Sequence, residues 1–261
     1  MQESVLDRFR LNGKVALVTG GGDGIGLASG RHLASAGAVV AILDKDEAKA
    51  EAAAKSIVAG GGHAIAISAD VTEEAAVLAA TDEVVRRFGR LDILINNAGT
   101  AIRSAATEMT VEDWNRVVAV NLTGTFLVAR SAARQMRQLG NGGAITNTAS
   151  IMGLSGGLYP NVAYQTTKGG IVNMTRALAL EWVSDRIRVN AVAPTYVRTG
   201  FIAPLLNNPE ILAAIEAATP MGRIAEPEEV ADAILFLSSP AAAMITGVIL
   251  PVDGGMGARI G

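Results

Sequence analysis

Short runs of aliphatic and β-branched residues alternate with longer amphipathic stretches along the whole chain, and this alternation limits its fold more than any other feature. KVALVT (14–19), AVVAIL (38–43), HAIAIS (63–68), LDILIN (91–96), GAITNT (143–148), IRVNAVA (187–193) and GVILPV (247–252) read as buried strands. Helical spacing fills about 24–36, 45–60, 73–88, 110–138, 160–184 and 226–238. Strand and helix alternation with short connections implies right-handed βαβ units, and hence an α/β fold with a doubly wound parallel sheet. At 261 residues the chain is long enough for one large domain to bury about 70% of its unfolded surface. No linker, repeat or low-complexity tract divides it; AGGGH (59–63) marks a flexible helix-to-strand turn. Half of the residues are hydrophobic but only 4% are aromatic, so the core must be built from Ala, Val, Ile and Leu, which suits helices packed on a parallel sheet.

Several function classes are disfavoured at once. A net charge of −3 without a basic run offers no long-range attraction for nucleic acid or anionic lipid. MQESVLDRFR lacks the apolar run of a signal peptide, and no stretch approaches the roughly 18 apolar residues of a membrane span. A soluble, cytoplasmic protein is expected. The absence of cysteine removes disulfides, thiolate metal sites and cysteine nucleophiles. The two histidines, His32 and His63, are too few for a His-rich metal site or a histidine-based triad, and no metal is expected.

In a sheet of this kind, ligands bind beyond the carboxyl ends of the strands, where the strand order reverses. TGGGDGIG (19–26) follows the first strand, where glycines let the backbone approach a pyrophosphate and a helix start supplies free N–H groups. Its glycines, Gly20, Gly21, Gly22, Gly24 and Gly26, cannot be fitted to a strict G-x-G-x-x-G, so a ligand-free glycine turn stays open. Asp44 ends the second strand, 18 residues beyond Gly26. A carboxylate there accepts both hydroxyls of an adenosine ribose and repels a 2'-phosphate, favouring NAD over NADP; an N-cap is its bland alternative. Asp23 within the loop strengthens that preference and Lys45 weakens it. Tyr164 and Lys168 in YQTTK are four residues apart and share a helix face. A free phenol, with pKa near ~10, is a poor base at neutral pH, but a nearby ammonium favours the phenolate and makes Tyr164 a usable general acid/base. Ser150, 14 residues earlier, follows a strand and can hold a substrate oxygen against Tyr164.

TGGGDGIG, NNAG (96–99), Asn121 in VNLTG, Ser150, YQTTK and PVDGG (251–255) together resemble the short-chain dehydrogenase/reductase family, in family order from Leu11 to Gly257. The resemblance implies a single Rossmann-like domain whose seven parallel strands run in the order 3-2-1-4-5-6-7. It implies a catalytic set of Asn121, Ser150, Tyr164 and Lys168, with Lys168 also holding the nicotinamide ribose and Asn121 holding a water that links Lys168 to solvent. A mid-helix Asn is otherwise a solvated or core-satisfied residue. Cofactor contacts would come from Gly20, Asp23, Gly24, Ile25 and Gly26 at the phosphates. Asp44, Asn96, Asn97, Ala98 and Gly99 would lie on the adenosine-ribose side, and Asp70 and Val71 at the adenine. Pro194, Val197 and Thr199 would lie at the carboxamide. The family usually has Pro-Gly where this chain has Pro194-Thr195; Thr lacks the freedom of Gly and puts a β-branched side chain beside the nicotinamide. A homotetramer is implied, built on the helices around 110–138 and 160–184, with GVILPV in a second interface.

GFIAPLLNNPEILAAIEAATPM (200–221) is apolar and breaks the strand pattern, as either a lid that excludes water or a subunit interface would. Few charges there argue against a polyanionic substrate, while Arg103, Tyr159, Asn161 and Arg198 are candidates for polar contacts at the mouth. GLYPNVAYQTTK is most similar to the family's sugar, sugar-acid and polyol dehydrogenases. The favoured reading is an NAD-dependent oxidoreductase acting on such an alcohol or the matching ketone. An NADP-dependent 3-oxoacyl thioester reductase would want basic residues near 139–143 and 184–186, where LGNGG has none and SDR has one. A non-catalytic NAD-binding relative would be expected to lose Tyr, Lys or Ser, and all three are kept.

Overall fold

Residues of β1, Val15–Thr19, are buried along its whole length and point alternately to the two sides of the sheet. Val15 and Leu17 join one apolar cluster, Ala16 and Val18 the other. The computed structural model describes residues 4–258. Its other strands are β2 (Val39–Asp44), β3 (His63–Ser68), β4 (Ile93–Asn96), β5 (Gly143–Thr148), β6 (Ile187–Pro194) and β7 (Ile249–Val252). They form one seven-stranded sheet in the order β3-β2-β1-β4-β5-β6-β7, and every pairing is parallel. The order reverses between β1 and β4, which opens the crevice expected for a ligand.

Helices α1 (Gly24–Ser35), α2 (Glu47–Ala59) and α9 (Pro227–Ser238) cover one face through Leu33, Ile57 and Ile234. Three further helices, α3 (Glu74–Phe88), α5 (Thr125–Leu139) and α6 (Val162–Trp182), cover the other through Val84, Met136 and Leu178. These small aliphatic side chains interlock where bulky aromatics would hold the layers apart.

The helix expected over 110–138 is broken: α4 (Val111–Val118) passes through a π-helical turn, Ala119–Gly124, before α5. Gly124 is pressed against Val71, whose side chain would lie 2.8 Å from any Cβ there. Within the widened turn Asn121 faces inward and is fully buried. Among the other boundaries, β4 starts at Ile93 and β7 at Ile249, two residues later than expected; the Asp92 carboxylate is held by the Val15 amide and by Lys14 and Arg90, and Gly247 turns the chain at φ 78°.

The segment expected to lack strands does lack them. It forms a short turn, Gly200–Ile202, then α7 (Ala203–Leu206) and α8 (Pro209–Ala218). Ile202 and Ile215 pack with Tyr196 and Ile224 into a separate small apolar cluster.

Candidate active site

A cavity of about 520 Å³ lies beyond the carboxyl ends of the central strands, a volume suited to a cofactor-sized ligand. At one end is the glycine loop. Gly20 and Gly24 have φ of 58° and 51°, values that favour glycine. A Cβ on Gly26 would stand 2.1 Å from the Gly20 carbonyl oxygen, so that position must also stay bare. Asp23 N-caps α1 by accepting from the Gly24 amide at 2.7 Å, which aims the helix start at the cavity. Asp44 does not cap α2, a role taken by Asp46; its Oδ2 accepts from the Gly22 amide at 3.1 Å and its Oδ1 from the Asp46 amide at 3.1 Å. The bland alternative for Asp44 is thereby removed. Among the described residues this cradle of bare backbone, helix start and strand-end carboxylate fits the pyrophosphate and ribose of a nicotinamide dinucleotide.

Most of the anticipated cofactor residues line the same cavity: Gly20, Asp23, Gly24, Ile25, Asp44, Asn97, Ala98, Gly99, Pro194, Val197 and Thr199. Gly26 is buried beneath the loop and supports it. Asn96 belongs elsewhere: its Nδ2 donates to the Thr125 carbonyl and to Asn147 Oδ1, tying the sheet to α5. Asn97 does the work at the loop, donating to the Thr19 and Gly20 carbonyls. Asp70 and Val71 lie outside the cavity lining. One Asp70 oxygen accepts from both the amide and the hydroxyl of Thr72, and the Thr72 amide holds the carboxyl below its usual range.

At the other end stand Ser150, Tyr164 and Lys168. β5 stops at Thr148, so Ser150 caps a single turn, and its Oγ accepts from the Met152 amide at 3.1 Å. The face shared by Tyr164 and Lys168 on α6 is turned to the cavity, with the Lys168 Nζ 5.4 Å from the centre of the Tyr164 ring. Lys168 is buried and donates to the Thr148 carbonyl at 2.6 Å. Burial pushes its pKa down to about 8, because an ammonium loses its hydration there. In the chain alone, burial raises the phenol's pKa, while the Ser150 hydroxyl and then the Arg103 cation pull it down.

Asn121 acts as a clamp. Its Oδ1 accepts from the Thr100 amide at 2.7 Å, and its Nδ2 donates to the Thr100 carbonyl at 2.9 Å and to Thr167 Oγ1 at 3.1 Å. It therefore locks the loop after β4 onto α6, beside Lys168. Thr195 has no left-handed backbone, since Arg186 is the single non-glycine residue with positive φ among the described residues. The freedom of glycine is unneeded at 195, and the Thr195 hydroxyl turns towards the Met256 sulfur at 3.7 Å.

Of the proposed mouth residues, Arg103, Tyr159 and Asn161 line the cavity; Arg198 is engaged by Glu226 at 3.0 Å and is not part of that lining. Sequence reasoning missed Tyr196 and Phe201, both of which line it. Phe201 lies 6.0 Å from the Tyr164 ring and 5.9 Å from the Arg103 guanidinium carbon. No periodic signal marks them, because they sit on irregular chain after β6. Among the described residues no cluster of three metal-binding side chains occurs, and no helix is long and apolar enough to cross a membrane.

Comparison with known proteins adds evidence independent of this geometry. A family model described as enoyl-(acyl carrier protein) reductase matches residues 20–257. D-threitol dehydrogenase of Mycolicibacterium smegmatis is 42% identical over 247 residues, covering 95% of this chain and 94% of its own. A short-chain type dehydrogenase/reductase from Mycobacterium marinum superposes with a TM-score of 0.94 at 38% identity, over 97% of this chain and 99% of that one. A gluconate 5-dehydrogenase from Burkholderia cenocepacia, solved with NADP and tartrate, superposes with a TM-score of 0.94 at 37% identity, over 98% and 100%. Matched across nearly its whole length in sequence and in sheet order, the chain belongs to the short-chain dehydrogenase/reductase family.

Proposed function

We propose that this protein is an NAD-dependent dehydrogenase that oxidises a secondary alcohol of a polyol, sugar or sugar acid, and reduces the matching ketone. The observation that carries it is convergence: Ser150, Tyr164 and Lys168 share one cavity with the glycine loop and Asp44. The threitol and gluconate dehydrogenases it resembles support the substrate class. When bound, NAD supplies a hydride acceptor and a positive ring. Ser150 Oγ holds the substrate oxygen, and Tyr164 Oη takes the hydroxyl proton as the carbon is oxidised. Lys168 holds the ribose hydroxyls, and its charge, present below about pH 8 in the chain alone, favours the phenolate. Asn121 keeps Thr100 and α6 in register around that pair.

The preference for NAD rests on Asp44, half-buried at the strand end, which would meet a 2'-phosphate with like charge. Lys49 on the cavity wall, adjacent Lys45 and the NADP in the Burkholderia structure weigh the other way. Asp70 and Val71 would reach an adenine only at the margin of the cavity. The start of the 200–221 segment serves as the lid: Gly200, Phe201, Ile202 and Leu205 line the cavity, where they would exclude water from a bound substrate. A cytoplasmic homotetramer is the inferred form; exposed Phe126 on α5 and Leu180 on α6 supply apolar surface for it. The thioester reductase reading is weakened by its missing docking charge: Arg137 pairs with Asp185 at 2.9 Å and Arg186 is bonded to the Gly140 carbonyl.

The test is a panel of polyols, sugar acids and simple secondary alcohols offered with NAD and with NADP, with reduced cofactor followed by absorbance. Reduction of NAD by a polyhydroxy member is expected. Activity confined to acyl thioesters with NADPH would overturn the reading.

A further inference from the structure

The substrate end of the cavity carries three polar groups that make no bond to the reacting alcohol in the proposed chemistry. Arg103 has no carboxylate within ion-pair distance among the described residues, and its guanidinium instead lies over the Phe201 ring. Asn161 is 6% exposed and its Oδ1 has no hydrogen-bond partner. This is unusual for its place: Asn161 is the N-cap of α6, yet its side chain makes no capping bond, although asparagine is among the residues best suited to cap. Tyr196 is 5% exposed, and its hydroxyl is equally without a partner. A buried polar atom left unpaired costs about 1–3 kcal/mol, so two at one cavity indicate a ligand that completes them.

We propose that Arg103, Asn161 and Tyr196 form a recognition subsite for a polyhydroxy monocarboxylate, an aldonic acid anion, with Arg103 on the carboxylate and Asn161 and Tyr196 on hydroxyls along the carbon chain. The inference deepens, and rests on, the dehydrogenase reading. Each pairing follows from donor and acceptor chemistry. A guanidinium is a planar fork of donors without an acceptor and matches a carboxylate in two bonds. Burial pushes the Tyr196 pKa up to about 12, so its hydroxyl stays protonated and donates to a substrate oxygen. The Asn161 oxygen accepts from a substrate hydroxyl. Among the described residues, one free cation at this end, Arg103, suits one negative charge. Lys168 is already donating to the Thr148 carbonyl, so a phosphate ester would bring a second negative charge that meets no free cation at this end.

The experiment compares four- to six-carbon aldonates with the alditols of matching length and stereochemistry. Wild type, Arg103→Gln, Asn161→Leu and Tyr196→Phe are assayed with NAD on the plateau of each enzyme's pH profile. Binding is measured in parallel by calorimetric titration of aldonate into the NAD complex of Tyr164→Phe, alone and combined with each change. Wild type is expected to favour aldonates. Arg103→Gln should lower kcat/KM for aldonates about tenfold more than for alditols, as loss of a charged hydrogen bond implies. Tyr196→Phe should raise KM for both substrate types yet leave the thermal midpoint unchanged or higher, because the hydroxyl it removes bonds to nothing in the free protein. An equal loss on aldonates and alditols with Arg103→Gln, or no aldonate preference in an active wild type, overturns the subsite. Aldonate binding that depends on Arg103 without turnover of any alcohol keeps the subsite and sinks the dehydrogenase reading instead.

Discussion

The two ends of the cavity are built on opposite plans. At the glycine loop, the polar groups find partners within the protein: Asp44 on Gly22, Asp23 on Gly24, Asn97 on Thr19 and Gly20. Its geometry is fixed by backbone that tolerates no side chain. At the substrate end, Asn161 Oδ1 and Tyr196 Oη are left without partners, and part of the wall comes from the irregular chain after β6, where the apolar Phe201 lines the cavity yet remains exposed. A cofactor bound in every turnover is matched by a preorganised cradle, which lowers the ordering cost of binding. A substrate that must enter and leave is met by polar groups satisfied only when it is present.

The contrast is broken or sharpened by substitution, most sharply at Tyr164. Tyr164→Phe should reduce turnover by about a hundredfold to ten-thousandfold, the usual range for a lost acid/base, while NAD affinity measured by fluorescence titration stays within a few-fold. Retained activity would remove the assignment. At the opposite end, Gly26→Ala drives a methyl into the Gly20 carbonyl. It should abolish measurable NAD binding and cost about 1–3 kcal/mol of stability by overpacking, which denaturant unfolding reads directly. Unchanged NAD affinity would mean that the loop is not the cradle. Asp44→Ala should narrow the ratio of NADP to NAD dissociation constants by roughly tenfold, equivalent to about 1.4 kcal/mol.

Two smaller effects concern protons. Arg103 and Ser150 both hold the Tyr164 pKa down, so the alkaline-rising limb of the oxidation rate should move to higher pH in Arg103→Gln and in Ser150→Ala. A limb that stays in place would separate Tyr164 from that titration. For Lys168, burial lowers the folded pKa to about 8, below its unfolded value. Folding therefore favours the neutral amine, and this group's contribution to stability rises with pH from about 8 up to the ordinary lysine pKa. Carbon-13 labelled lysine should show one resonance, lost in Lys168→Arg, titrating near pH 8 without cofactor.

Much of this was legible in the chain. The apolar runs located all seven strands, because a strand buried on both faces must be continuously apolar over a short length. The end of β4 was not legible as a boundary with a purpose: Asn96 and Asn97 are alike in sequence, and only the pleat sends Asn96 into the sheet-to-α5 bonds and Asn97 to the loop. Nor was the π turn, since a widened turn leaves no mark in a 3.6-residue period and is set by Gly124 closing on Val71. Arg198 looked as available as Arg103 until Glu226 was brought beside it.

By itself the sequence determined the alternation of strands and helices, the glycine loop, and the spacing that places Tyr164 and Lys168 on one helix face, because each depends on residues close together in the chain. The tertiary structure alone decided the balance of burial against Ser150 and Arg103 at the phenol, and the stranding of Asn161 and Tyr196 without partners. Solvation and long-range pairing depend on which distant segments pack together, and no local pattern records that.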